Sequence, residues 1–188
     1  LTGYQVDPGY RQAVAAQKQR WAQTVAEVTH PAEPAGADGL MTQNEVIALV
    51  NEACEPSDVV VCAAGSMPGD LHKMWQVRDP DGYHVEYGYS CMGYEIAGGL
   101  GVKLAQPERE VVVMVGDGSY LMLSSELATA VQEGVKLVVV IVQNHGFASI
   151  GALSESVGSQ RFGTAYRQRT GSGRLDGDRL PVDLAANA

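Results

Sequence analysis

The chain has 188 residues, of which 45% are apolar and 6% aromatic, with a formal net charge of −9 at pH 7. That length suffices for one domain with a sizeable core, and the acidic balance disfavours nucleic acid or an anionic membrane as a partner. Cys54, Cys62 and Cys91 lack Cys-x-x-Cys spacing, which argues against a zinc site or a disulfide framework and for reduced thiols in the cytoplasm. No segment approaches the roughly eighteen consecutive apolar residues of a membrane span.

In chain order, residues 10–28 carry Val14, Trp21, Val25 and Val28 at helical spacing among Gln, Lys and Arg, predicting an amphipathic helix with a packing role. Residues 29–41 contain Pro31, Pro34, Gly36 and Gly39, the composition of a linker. Thr42-Gln43-Asn44-Glu45 has the spacing of a capping box and predicts a helix whose Val46, Ile47, Leu49 and Val50 face a core. The predicted organisation is therefore an N-terminal helix and linker over 1–41, then a domain over 42–188.

Residues 58–63 read as a buried strand, with residues 64–69 as the loop at its carboxyl end. A turn at Asp79-Pro80-Asp81-Gly82 precedes a short strand over 83–87. Residues 88–101 are glycine-rich but partly helical, and each interior glycine costs about 1 kcal/mol relative to Ala. Close packing against a ligand or a neighbouring domain would justify that cost.

The central stretch is 110–146. Residues 111–115 form a β-branched run typical of a strand buried on both faces, and Gly116-Asp117-Gly118-Ser119 ends it. Residues 119–133 have helical spacing, Gly134 stops them, and 137–142 predict a second buried strand. A strand–helix–strand crossover is parallel and right-handed, which puts Asp117 and Asn144 at the carboxyl ends of two strands in one sheet.

The helix start near Ser119 offers unpaired N–H groups to an anion. A carboxylate beside a phosphate needs a neutralising cation, and a hard Mg²⁺ would accept the Asp117 carboxylate, the Asn144 amide oxygen and phosphate oxygens. The plainer alternative is a turn in which Asp117 or Ser119 caps a helix. A nicotinamide-nucleotide reading is weaker, because Leu121 stands where Gly-x-Gly-x-x-Gly needs glycine.

After Asn144, residues 147–163 mix serines with apolar residues and predict a long functional loop over the site. His145 is a candidate acid/base or substrate contact, its side chain directed away from Asn144 if the backbone stays extended. Residues 164–180 read as an exposed polar connector. Leu1 in place of a start methionine, and a helix-like run over 181–188 without a stop signal, suggest an excerpt truncated at its C-terminus.

Gly116-Asp117-Gly118 followed by Asn144 twenty-seven positions after Asp117 resembles the thiamine diphosphate motif of the acetolactate synthase and pyruvate decarboxylase superfamily. Tyr87-Gly88-Tyr89-Ser90-Cys91-Met92-Gly93-Tyr94-Glu95-Ile96-Ala97 and Gln143-Asn144-His145-Gly146-Phe147 are similar to the trihydroxycyclohexanedione hydrolase family of inositol catabolism. The resemblance implies an open, mostly parallel α/β sheet with helices on both faces, the diphosphate domain of that fold. It implies thiamine diphosphate and Mg²⁺ as cofactors, with Asp117, Asn144 and the Gly146 carbonyl as metal ligands and Gly118 and Ser119 beside the diphosphate.

By the same match Met92 is the apolar wedge under the cofactor's two rings, and the Ser90 carbonyl and Met92 N–H meet the aminopyrimidine edge. Leu71-His72-Lys73-Met74-Trp75 resembles the element that brings a loop and a His to the diphosphate. Gly65, Ser66 and His72 are therefore candidate cofactor contacts, although an insertion over 67–70 alters the spacing. His72 also has an ordinary structural reading.

The implied reaction is hydrolysis of a C–C bond in a polyhydroxylated cyclic 1,2-diketone to an open-chain 5-deoxy-glucuronate. The implied activating Glu lies on a pyrimidine-binding domain of a partner subunit in a homo-oligomer. With no such domain and no central domain here, this chain alone is expected to be inactive. The alternatives are an acetolactate-type carboligase or decarboxylase and a non-catalytic binding or assembly module.

Overall fold

In the computed structural model, residues 3–32 and 39–188 are described. Pro34 and Gly36 of the predicted linker, and Leu1, lie outside them. The chain divides into two compact units, 1–53 and 54–188.

The first unit holds helix α1, Pro8–Thr29, and helix α2, Gln43–Ala53. Asp7 caps α1 by accepting the Tyr10 N–H at 2.9 Å, and a proline stands in its first turn. The packing of α1 is confined to its C-terminal end, where Thr29 is buried and Val25 half-buried, while Tyr10, Val14, Trp21 and Val28 are exposed. The capping box before α2 is present in both directions. The Thr42 N–H donates to Glu45 Oε2 at 2.7 Å, and Thr42 Oγ1 accepts the Glu45 N–H at 3.3 Å.

The second unit is built on four parallel strands: β1 Val59–Cys62, β2 Tyr83–Val85, β3 Val111–Gly116 and β4 Val138–Val142, in the order β2-β1-β3-β4. Val61 pairs with Val113, and Val113 with Val139. β1 is wholly buried and β3 nearly so, as their apolar runs predict. β4 differs from the expectation: it is an edge strand, half-buried along most of its length, so a continuous apolar run does not by itself mean two covered faces.

Helix α3, Ser66–Met74, connects β1 to β2, and helix α4, Tyr94–Ala105, connects β2 to β3. The chain steps one way from β1 to β2 and the other way to β3. Right-handed crossovers in opposite directions put α3 and α4 on opposite faces of the sheet. The order therefore reverses between β1 and β3, and open α/β sheets bind ligands in the crevice at the carboxyl ends of such a pair.

The single helix predicted over 119–133 is two, α5 Asp117–Met122 and α6 Glu126–Gln132. Ser124 and Ser125 separate them, their backbone carbonyls accepting the Leu127 and Ala128 N–H groups at 3.0 Å each as the first turn of α6 forms; neither serine side chain caps the helix. Residues 147–163, expected to be a loop, contain helix α7, Ala148–Ser156. Helix α8, Leu184–Asn187, puts Leu184 into the core with Val59, Val61, Ile96, Val111, Val113, Val115 and Tyr120.

Of the α4 glycines, Gly99 serves the sheet, while Gly98 lies against the Tyr94 ring of its own helix. A Cβ on Gly99 would overlap Val113 Cγ2, so glycine lets α4 lie directly on β3. No helix among the described residues is long and apolar enough to cross a membrane.

Candidate functional site

Asp117 follows β3 directly, and Gly116 pairs with Val142 of β4, so the loops after these strands start side by side. Asp117 is 1% exposed. Its Oδ1 accepts the Gly118 N–H at 2.9 Å, and its Oδ2 accepts the His145 and Gly146 N–H groups at 2.6 and 3.2 Å. The carboxylate thus holds the turn after β4. An ionised carboxylate accepts about four hydrogen bonds, so Oδ1 retains acceptor capacity.

The far side of that turn is also held. The Phe147 N–H donates to the Thr164 carbonyl at 2.9 Å, and the Tyr166 N–H to the His145 carbonyl at 2.8 Å. Gly146 forms an antiparallel bridge with Ala165, so close that a Cβ on Gly146 would overlap the Thr164 carbonyl. Gly118 is equally constrained: its Cβ would stand 2.7 Å from the Phe147 ring and 3.3 Å from the Gly146 carbonyl oxygen. Asp117, Gly118 and Gly146 therefore converge. Asn144 lies one residue before this contact with its side chain exposed.

His145 has φ +63°. The extended backbone assumed in directing its side chain away from Asn144 does not exist. Burial, and secondarily the Asp117 charge, push the Tyr166 hydroxyl pKa up.

The loop after β1 carries Gly65 and Ser66 exposed at the start of α3. A cavity of 420 Å³ lies between Ser66 and α7, lined by Ala148, Ser149, Ala152, Leu153 and Ser156. His72 is turned to the β2 edge: its Nδ1 meets the Tyr83 hydroxyl at 2.9 Å, and its ring stacks on Tyr87 at 5.6 Å.

After β2 the chain is organised by two carboxylates. Glu86 accepts the Tyr89 N–H at 3.0 Å and the Cys91 N–H at 2.7 Å, bonds that hold its pKa below the usual carboxylate range. Glu95 accepts the Gly93 N–H at 3.1 Å. Alternate amides are thus taken, while the Ser90 carbonyl and the Met92 N–H make no hydrogen bond among the described residues. Ser90 has φ +51°, and Met92 is half-buried.

Ser119 is drawn inward. Its hydroxyl reaches both oxygens of Glu95 at 2.8 and 2.7 Å and accepts the Gly93 N–H at 2.7 Å. With its only hydrogen directed to Glu95, the hydroxyl has none for a ligand.

Residues 63–188 match the family described as Thiamine pyrophosphate enzyme, C-terminal TPP binding domain. The chain belongs to this family. It is 51% identical over 147 residues to the 3D-(3,5/4)-trihydroxycyclohexane-1,2-dione hydrolase of Clostridium perfringens (strain 13 / Type A), which is 78% of this chain and 23% of that protein. Proteins of the same name from Bacillus thuringiensis (strain Al Hakam) and Geobacillus thermodenitrificans (strain NG80-2) are 51% identical over 149 and 146 residues, 79% and 77% of this chain and 23% of each relative. The chain spans about a quarter of the length of these relatives.

Within the TPP-binding domain, the switch between β1 and β3 coincides with the glycine turns that the sequence singles out. Glu86 and Glu95 escape a sequence reading, because charged residues in a turn and near a helix start default to solvated positions. The available signal was Glu95 itself, a carboxylate heading a glycine-rich helix whose next seven residues are all apolar or glycine.

Proposed function

We propose that the chain binds thiamine diphosphate together with Mg²⁺ and serves a hydrolase that opens a polyhydroxylated cyclic 1,2-diketone. The observation that carries this reading is the meeting of the Asp117 carboxylate with the 145–146 peptide beside Gly118. It joins a carboxylate, a backbone carbonyl and a glycine cradle at the carboxyl ends of β3 and β4, next to the switch between β1 and β3. Among the described residues no group of three or more His, Cys, Asp or Glu could hold a metal. A cation here would therefore depend on one carboxylate oxygen, amide and carbonyl oxygens, and a ligand's phosphates, a donor set that suits Mg²⁺.

Asp117, Asn144 and the Gly146 carbonyl would hold the ion. The diphosphate would lie against the Ser119 N–H and the Gly65–Ser66 turn, with Gly118, whose own N–H is held by Asp117, permitting close approach. The uncommitted Ser90 carbonyl and Met92 N–H supply one acceptor and one donor to a heteroaromatic edge, and the Met92 side chain an apolar surface beneath it. Thiamine diphosphate, when bound, supplies a carbon nucleophile that also takes up the electrons of a breaking C–C bond. The cavity against Ser149 and Ser156 is of a size that suits a small hydroxylated ring. His72, tied to Tyr83, is a less direct contact than the turn before it, and His145 is a proton carrier to be tested.

In this reading the pyrimidine-binding domain and its activating Glu come from a partner subunit of a homo-oligomer. The names of the relatives support the diketone as substrate and the hydrolase over a carboligase. The test is calorimetry and turnover with the full-length protein. Thiamine diphosphate with Mg²⁺ should bind, the inosose-derived dione should be hydrolysed, and Asp117→Ala should abolish both. Turnover of pyruvate instead would favour the carboligase, and absence of binding heat would sink the cofactor assignment.

A further inference from the structure

One buried carboxylate has no part in the reading above. Glu95, the second residue of α4, is 1% exposed. It accepts the Ala64 N–H at 3.3 Å and the Gly93 N–H at 3.1 Å, and it takes the Ser119 hydroxyl at 2.8 and 2.7 Å. These partners lie in three different segments, the loops following β1 and β2 and the first turn of α5 after β3. Gly93 N–H also donates to Ser119 Oγ at 2.7 Å, which closes a ring among Glu95, Ser119 and Gly93.

No Lys, Arg or His forms an ion pair with Glu95 among the described residues. Burying a carboxylate without a cation is costly, and it is tolerated when hydrogen bonds satisfy the group. A side chain of similar volume without charge would fill the same space at lower cost. What the carboxylate adds is the spacing between loops. Ala64 precedes Gly65 and Ser66, Gly93 follows Met92, and Ser119 follows Gly118.

We propose that Glu95 is a positioning residue for the cofactor, using the Ser119 hydroxyl as its link to the diphosphate turn. One side chain fixes the distance from the two diphosphate-binding turns to the Ser90–Met92 edge before any ligand arrives. The inference rests on the thiamine diphosphate assignment. A preformed site avoids the ordering cost that loose loops would impose on binding.

The experiment uses the full-length protein with its pyrimidine-binding domain, as wild type, Glu95→Gln and Ser119→Ala. Glutamine keeps the shape but places an amide NH₂ where two acceptor oxygens are needed, so one loop loses its partner. In Glu95→Gln the Kd for thiamine diphosphate with Mg²⁺ should rise about ten- to a hundredfold, as when supporting groups around a bound ion are removed. The KM for cofactor should follow, while kcat at saturating cofactor stays within severalfold of wild type.

In the cofactor-free protein, amide exchange at Ala64 and Gly93 should quicken. Ser119→Ala, a smaller perturbation that serves if Glu95→Gln does not fold, should reproduce the Gly93 effect and part of the affinity loss. Variants that melt earlier yet bind cofactor as wild type does, with unchanged exchange at Gly93, would overturn the proposal alone. Wild-type protein that binds no cofactor would overturn it together with the assignment beneath it.

Discussion

At the scale of single residues, the site depends on close contacts that no larger side chain allows. Gly118→Ala would drive its methyl into the Phe147 ring, 2.7 Å from the ideal Cβ position. The ring must move, and with it the turn that Asp117 and Thr164 hold from opposite sides. We expect a loss of about 1–3 kcal/mol in urea unfolding and a cofactor affinity lowered more than tenfold in calorimetry. The thiols give a second residue-scale prediction. Burial pushes the Cys62 pKa up to about 11, whereas Cys91 is exposed, its pKa raised by local desolvation and then by Glu86. Iodoacetamide should modify Cys91 first, and Cys62 only once urea opens the sheet. Glu86→Gln should speed Cys91 modification at a given pH, because the repulsion that disfavours its thiolate is gone.

Among elements, the contact of α4 with β3 is set by Gly99 facing Val113. Gly99→Ala raises helix propensity by about 1 kcal/mol, but its methyl has no space against Val113, and overpacking costs about 1–3 kcal/mol. Net destabilisation in urea is therefore expected, whereas the same change at Gly101, with nothing within 4 Å of its Cβ, should be neutral or stabilising. This contrast also shows what the sequence could not reveal. The strands and the Gly-Asp-Gly turn were legible because parallel strands and glycine turns leave local signatures. The Glu95 hydrogen bonds were not, since they join residues up to 31 positions apart through side-chain directions that no periodicity encodes. The break between α5 and α6 was partly legible: Ser124-Ser125-Glu126 reads as a helix start once two helices are considered. The helix α7 was hidden because Ser149, Gly151, Ser154 and Ser156 give its stretch the composition of a loop, which outweighed the helical spacing of Ile150 and Leu153.

For the molecule as a whole, stability should depend on acid more than its surface ion pairs suggest. Thr42 backbone and side-chain hydrogen bonds lower the pKa of Glu45, the Asp81 N–H and then Arg109 lower that of Asp79, the Cys91 and Tyr89 N–H groups lower that of Glu86, and Lys136 lowers that of Glu110. A carboxyl group whose folded pKa lies below its unfolded value stabilises the fold fully above the unfolded value. That stabilisation is lost as pH falls through the folded one. All four shifts have the same sign, so their losses accumulate on one side of the pH scale. The urea midpoint should stay nearly level from about pH 7 to 5 and fall steeply below about pH 4, the ordinary carboxyl range. Salt separates the contributions. The exposed Lys136–Glu110 pair, 2.8 Å apart, should weaken in 1 M salt, whereas bonds from backbone N–H groups to Glu45 and Glu86 should persist. Glu86→Gln should then flatten part of the acid limb in high salt, and Glu110→Gln should change it mainly at low salt. An acid limb that high salt abolishes entirely would mean that ion pairs, rather than backbone donors, carry the effect.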